Sequence, residues 1–205
     1  MNGGVWAIVP AKPFRKAKSR LAAALSPSER AQLSREFLAH TLSVLAQSPG
    51  VIQTVVVSGD PAALFLARAS GAQAVEETGG PDLNAALAQA TRLAVSARAA
   101  GVLVLAADLP LLAPADVAAL LDAGEAGVQV TLAPDRHDEG TNALVARPPG
   151  LIQYAFGAGS FARHAALCDA AGARMIVVRR PGVALDVDAP EDLALYRETA
   201  PAPRF

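Results

Sequence analysis

The chain has 205 residues, 18% of them charged, with a formal net charge of -1. That length suits one domain with a sizeable core, and the even charge balance excludes the broad basic field by which nucleic-acid binders release counterions. A single cysteine, Cys168, excludes a disulfide framework and a cysteine zinc site, and His40, His137 and His164 show no paired metal spacing, so a metal, if used, is expected to be hard and oxygen-bound.

Alanine-rich helical stretches alternate with short valine-rich runs, the pattern of an α/β domain with a mainly parallel open sheet. Val5 to Val9 predicts the first strand. After a basic loop, Ser26-Pro27-Ser28-Glu29 reads as a capping box opening a helix whose Leu33, Phe37, Leu38, Leu42 and Leu45 share one face. A strand at Val51 to Val57, a short helix from Asp60-Pro61 to Gly71 and a strand at Ala72 to Val75 follow. A helix from about Leu83 to Ala100 then feeds Val102 to Leu105, the most apolar strand and therefore the expected sheet centre. Further strands are expected at Val128 to Ala133, Leu144 to Ala146 and Met175 to Val178, with a loose tail over about 200–205. The amino-terminal apolar run is too short for a signal peptide, and no run reaches the roughly 18 residues of a membrane span. A cytoplasmic protein with small-molecule partners, no nucleic acid, no membrane and a possible homodimer is expected.

Four segments follow predicted strands, where open α/β sheets bind ligands. The first holds Lys12, Arg15, Lys16, Lys18 and Arg20 between nearly uncharged neighbours; such a cluster suits a triphosphate, although a solvated basic loop has the same composition. The second ends the apolar strand in Asp108-Leu109-Pro110, where the carboxylate suits either a magnesium ion or a turn before the helix at Pro114. In the third, Asp186 and Asp188 alternate with apolar residues and so project to one side, one able to bind metal while the other orients it or a lysine. Glu191 and Asp192, in a first helical turn, need only the helix dipole as explanation. The fourth, Phe156-Gly-Ala-Gly-Ser-Phe161, reads as an anion-binding turn or as a serine cap at Ser160. It lacks the acid about twenty residues on that a dinucleotide fingerprint requires. His137 is expected to face solvent and Cys168 to be buried on a helix.

Through these residues the chain resembles the guanylyltransferases of coenzyme F-420 biosynthesis, which act on phosphoenolpyruvate or 2-phospho-L-lactate. The resemblance runs through Val9-Pro10-x-Lys12-Pro13, Lys18-Ser19-Arg20-Leu21, Asp108-Leu109-Pro110, Asp135-Arg136, Gly140-Thr141-Asn142, Phe156-Gly157-x-Gly159-Ser160-Phe161 and Asp186-x-Asp188-x-Pro190-Glu191-Asp192-Leu193. It implies a nucleotide-diphospho-sugar transferase (Rossmann-like) fold in three layers. It also implies magnesium on Asp108 and Asp188, GTP phosphates on the loop holding Lys12, Arg15, Lys18 and Arg20, and the acceptor on Thr141, Gly157 and Ser160. Ser58, Asp60 and Asn84 would form the base and ribose wall. Ala113 and Ala189 stand where threonine is the more usual cap, a loss of about 1 kcal/mol each.

The implied reaction moves GMP from GTP to the acceptor's phosphate. Composition inclines the acceptor toward phosphoenolpyruvate, with 2-phospho-L-lactate and 3-phosphoglycerate as alternatives. A cytidylyl- or uridylyltransferase for a sugar or polyol phosphate, and a silent nucleotide-binding regulatory protein, are the competing readings.

Overall fold

Residues 4–80, 82–123 and 127–199 are described by a computed structural model; the tail predicted to be loose, 200–205, lies outside the described residues. The strands are β1 Val5–Pro10, β2 Val51–Ser58, β3 Gln73–Glu76, β4 Gly101–Leu105, β5 Gln129–Pro134, β6 Thr141–Arg147 and β7 Arg174–Val177. The helices are α1 Pro27–Ala46, α2 Pro61–Ala69, α3 Leu83–Ser96, α4 Pro114–Asp122, α5 Ser160–Ala170, α6 Pro181–Ala184 and α7 Pro190–Thr199.

Side-chain alternation along the strands divides the interior into two layers. Ala7, Val9, Leu103 and Leu105 face α1, α2 and α4 through Leu38, Leu42, Ala63, Ala67, Val117 and Leu120. Ile8, Val102, Val104 and Leu144 face the opposite way, against Ala86, Leu87 and Ala90 of α3 and the buried Cys168 of α5. The seven strands lie in the order β3-β2-β1-β4-β6-β5-β7. The fully buried β4 is central, as its composition predicts. Among the described residues only β6 opposes its neighbours, pairing antiparallel with both β4 and β5.

Local chemistry accounts for the helix ends. Ser26 Oγ accepts from Glu29 N at 3.3 Å while Glu29 Oε2 accepts from Ser26 N at 2.8 Å, completing the predicted capping box. The alanines at the starts of α4 and α7 keep half of that motif: Ala113 N donates to Asp116 Oδ2 at 3.0 Å and Ala189 N to Asp192 Oδ2 at 2.7 Å.

Two expectations need correction. Helix α3 ends at Ser96 rather than Ala100, because Arg98 adopts φ 57 and closes the helix with bonds from Arg98 N to Val95 O and Ala99 N to Ala94 O. This is the Schellman arrangement, with arginine where glycine would have advertised the stop. The single apolar face expected of α1 is also divided. Leu38, Leu42 and Leu45 meet the sheet, whereas Phe37 and Leu33 join a smaller cluster with Leu21, Leu185, Val187 and Leu193. That cluster, with Phe37 edge-on to Tyr196 at 5.5 Å, fastens the basic loop and the Asp186–Asp188 segment beside each other.

Candidate active site

A cleft of about 780 Å³ opens along the sheet edge formed by the carboxyl ends of β1 and β4, where the chain reverses its order of laying down strands. Because β6 runs the other way, its first residues, Thr141 and Asn142, arrive at this same edge.

Lys18 lies at the centre. Its backbone occupies the left-handed region, φ 56 and ψ 37, an uncommon conformation for a residue bearing a side chain. Its Nζ donates to Asp108 Oδ2 and, at 2.9 Å, to Asp188 Oδ1. Burial by itself would lower the Lys18 pKa, but Asp108 and Asp188 outweigh it and raise the ammonium above the ordinary lysine value. Burial likewise opposes ionisation of Asp188, yet Lys18, with Lys12 and Arg20 beyond it, holds that carboxyl below its usual range. Asp186 behaves differently: burial and the nearby Asp108 raise it, against the hydrogen bond from Asn142 Nδ2 at 3.1 Å. The two aspartates of the D-x-D segment thus share a side of the chain and differ in electrostatic setting.

The segment has further supports. Val187 N donates to Asp108 O at 3.3 Å. Asp192 Oδ2 accepts from Asp188 N at 3.0 Å, and its Oδ1 pairs with Arg136 at 2.6 Å. A helix dipole is therefore an insufficient account of Asp192. It is a buried carboxylate that shapes the turn presenting Asp188.

On either side of β6 the loops are held by hydrogen bonds as well as apolar packing. Asp135 accepts from the amides of His137, Glu139 and Gly140; a Cβ on Gly140 would stand 2.6 Å from Asp135 Oδ2, so the fold of this loop needs glycine there. His164, fully buried, receives Ala155 N on Nε2 at 3.0 Å and meets Thr141 Oγ1 through Nδ1 at 3.0 Å. Burial, aided by the positive Arg163, pushes its pKa down to about 4, so the ring is neutral at pH 7. Since Nε2 accepts, the one ring proton is on Nδ1 and is donated to Thr141. The hydroxyl proton of Thr141 is thereby released toward the cleft.

Ser160 Oγ has no intramolecular partner among the described residues and lines the same cavity. The turn before it carries Gly157 at φ 122 and Gly159 at φ 66. Ser160 N is occupied by Gly157 O and Phe161 N by Glu139 O. The amides of Gly157, Ala158 and Gly159 have no such acceptor among the described residues. Arg163 clamps the turn from behind, donating to the carbonyls of Ala155 and Ala158.

The structure brings Lys12, Lys18, Arg20, Asp108, Asp186, Asp188, Thr141, Gly157 and Ser160 to one cleft. It does not bring the others. Arg15 is exposed outside the lining, and Lys16 takes its place because the 3-10 turn Phe14–Lys16 rotates successive side chains away from one another. Ser58 is buried, donating to Ala11 O at 2.6 Å and accepting Asp60 N at 3.0 Å. Asp60 caps α2 through Ala62 N and accepts Phe14 N at 2.8 Å. Asn84 grips Phe156 twice, accepting its N at 2.8 Å and donating to its O at 3.3 Å. All three predicted wall residues are thus engaged in holding the loops that line the cleft. The helix cap is also displaced by one: Gly159 is the N-cap of α5 and Ser160 its first residue. Asp108 is no cap for α4, since Asp116 supplies that bond. His137 is exposed and Cys168 buried, as predicted.

Sequence reading passed over His164, although it follows Ser160 by one helical turn and so shares its face. Asn142 has no local signal of its role in the Gly140-Thr141-Asn142 motif; its amide donates to Val183 O at 2.9 Å and to Asp186 at 3.1 Å.

This arrangement of fold and cleft has counterparts. The sequence matches the family described as guanylyl transferase CofC like over residues 5–196. The chain belongs to that family. A phosphoenolpyruvate guanylyltransferase of Rubrobacter xylanophilus is 46% identical over 190 residues, which cover 93% of this chain and 92% of the relative. Another, from Sphaerobacter thermophilus, is 42% identical over 196 residues, covering 95% and 93%. Among solved structures, a Desulfovibrio desulfuricans G20 protein assigned to the nucleotide-diphospho-sugar transferases superposes with a TM-score of 0.76 over 97% of this chain and 88% of its own. At 19% identity that likeness establishes the shared three-layer α/β fold. Among the described residues no helix is long and apolar enough to cross a membrane.

Proposed function

We propose that this chain transfers GMP from GTP to phosphoenolpyruvate, releasing pyrophosphate. The observation that carries the reading is the adjacency, in one cleft, of the Lys18-bridged aspartates and a pocket that offers several unpaired hydrogen-bond donors: the hydroxyls of Thr141 and Ser160 and the amides of Gly157, Ala158 and Gly159. A donor-rich pocket suits a small acid carrying a phosphate and a carboxylate. The names of the two relatives supply phosphoenolpyruvate as that acid.

A phosphate oxygen of the acceptor attacks the α-phosphorus of GTP in line, forming a P–O–P bond while the α–β bridge breaks. A phosphate monoester is largely dianionic at pH 7, with a second pKa near 6, so no general base is needed. The obstacle is repulsion between two anions. Lys12 and Arg20 offset it at the triphosphate, and the β6–α5 pocket fixes the acceptor's angle of approach. Among the described residues no cluster of three or more His, Cys, Asp or Glu could hold a metal by itself. Asp108 and Asp188 already share one cation, Lys18, and face the cavity. Two carboxylates completed by substrate phosphates are a donor set that fits magnesium. When bound there, magnesium would supply neutralisation of phosphate oxygens and of the leaving pyrophosphate. Such an activity belongs with coenzyme F-420 biosynthesis, as the resemblance implies.

The test offers GTP and magnesium with phosphoenolpyruvate, 2-phospho-L-lactate and 3-phosphoglycerate in parallel, and resolves products by mass. A guanylylated phosphoenolpyruvate formed fastest supports the reading. Pyrophosphate release only with CTP or UTP and a sugar phosphate would replace it.

A further inference from the structure

With Ser58, Asp60 and Asn84 engaged elsewhere, a polar side chain at the base end of the cleft has no partner among the described residues. Glu77, immediately after β3, is half-buried and lines the cavity. Its backbone is pinned by a bond from Glu77 N to Ser58 O at 3.0 Å. Its carboxylate takes no hydrogen bond or ion pair among the described residues. Gly59 leaves the space beside it: a Cβ there would come 3.5 Å from Glu77 Oε2. The other walls at this end are apolar, Val57, Leu83, Ala86 and Leu87. An unpaired negative charge is a costly choice in a cleft that must admit a triphosphate, unless the part of the ligand facing it carries donors.

The sheet order fixes which part that is. The phosphate-binding cations follow β1, and β3 lies two strands away, roughly 10 Å at the usual strand spacing. A nucleotide with its phosphates at Lys12 and Lys18 therefore extends its base toward Glu77. We propose that Glu77 selects guanine, its carboxylate accepting the N1–H and the N2 amino group side by side. This rests on the guanylyl-transfer reading. The chemistry singles out one base among four. Adenine presents a bare N1 acceptor, cytosine a bare N3 beside its amino group, and uracil one N–H flanked by two carbonyls. Each of these turns an acceptor toward the carboxylate; only guanine offers it two adjacent donors.

Calorimetry of wild-type protein with GTP, inosine triphosphate and xanthosine triphosphate, in magnesium and without acceptor, reads this contact without requiring turnover. Inosine triphosphate, which lacks the N2 amino group, is expected to bind about 10-fold or more weakly than GTP, the loss of one charge-assisted bond. Glu77→Gln keeps the shape but turns an N–H toward one guanine donor. GTP binding should fall about 30-fold or more, and xanthosine triphosphate, whose C2 carbonyl accepts from that amide, should bind the variant more tightly than GTP. The variant's KM for phosphoenolpyruvate should not change. Inosine triphosphate equal to GTP in the wild type, or GTP affinity retained by Glu77→Gln, overturns the assignment. GTP binding that depends on Glu77, with no transfer to any phosphorylated acid, would leave the base contact standing and sink the transfer reading alone. Absence of GTP binding by the wild type would sink both.

Discussion

The two ends of the cleft are built by different means. On the β1 side the cations Lys12 and Arg20 stand exposed on long side chains, and only Lys18 is fixed, by its two aspartates. On the β6 side the elements that present the pocket's donors are anchored by hydrogen bonds: Thr141 by His164, His164 by Ala155, Phe156 by Asn84 and the 135–140 loop by Asp135. Neutralising a triphosphate requires charge near its oxygens and tolerates some freedom of position. Holding a three-carbon acid for in-line attack requires donors of fixed direction.

The strongest challenge to this division is at its centre. Asp108→Asn and Asp188→Asn are each expected to lower turnover at least ~100-fold, because a carboxylate acting on transition-state charge is worth several kcal/mol. Asp186→Asn, at the carboxylate that burial already discourages from ionising, should cost less. Pyrophosphate release measured across a magnesium titration decides: near wild-type turnover in either of the first two variants would remove the two-aspartate site.

Next in size, Lys12→Ala should raise the KM for GTP about 10-fold or more and leave the acceptor's KM alone. Lys18→Ala should affect GTP use too, and it should also lower thermal stability at low magnesium, because Asp108 and Asp188 lose the cation between them. If both variants kept the wild-type KM for GTP, the loop would be a solvated one.

On the anchored side, Thr141→Val should raise the acceptor's KM about 10-fold while GTP binding persists, and Ser160→Ala should cost about 0.5–1.5 kcal/mol by the same measure. A KM change for GTP instead would mean that the two ends are wrongly assigned.

A measurement of stability rather than turnover reports on His164 alone. Its folded pKa of about 4 lies below the unfolded value of about 6.5, so between these limits the unfolded chain binds more protons. Stability tied to the neutral ring is complete above about pH 6.5 and falls as pH drops toward 4, by up to ~1.4 kcal/mol per unit. Urea denaturation at several pH values should show this slope, and His164→Asn, though less stable at pH 7, should lose it. An unchanged slope in the variant would mean that His164 is not the group held neutral.

Much of this was legible in the chain itself. The continuous apolar runs Ala7 to Val9 and Val102 to Leu105, together with the Ser26 capping box, mark the strands and the helix start, because these depend on contacts within a few residues. Placement after predicted strands likewise marked Lys12, Lys18, Asp108, Ser160 and Asp188 as candidates for one site, and the family resemblance added Thr141. The tertiary structure decided what no local pattern encodes. The reversal of β6, which carries Thr141 to the ligand edge, follows from its pairing with β4 and β5. Partners far apart in sequence took Asn84 and Ser58 away from the predicted nucleotide wall, since an amide or hydroxyl looks the same in a sequence whether it meets a ligand or, as here, the backbone of Phe156 or Ala11. The unpaired state of Glu77 became visible only when every neighbour was in place, because a missing partner is a property of the packed molecule.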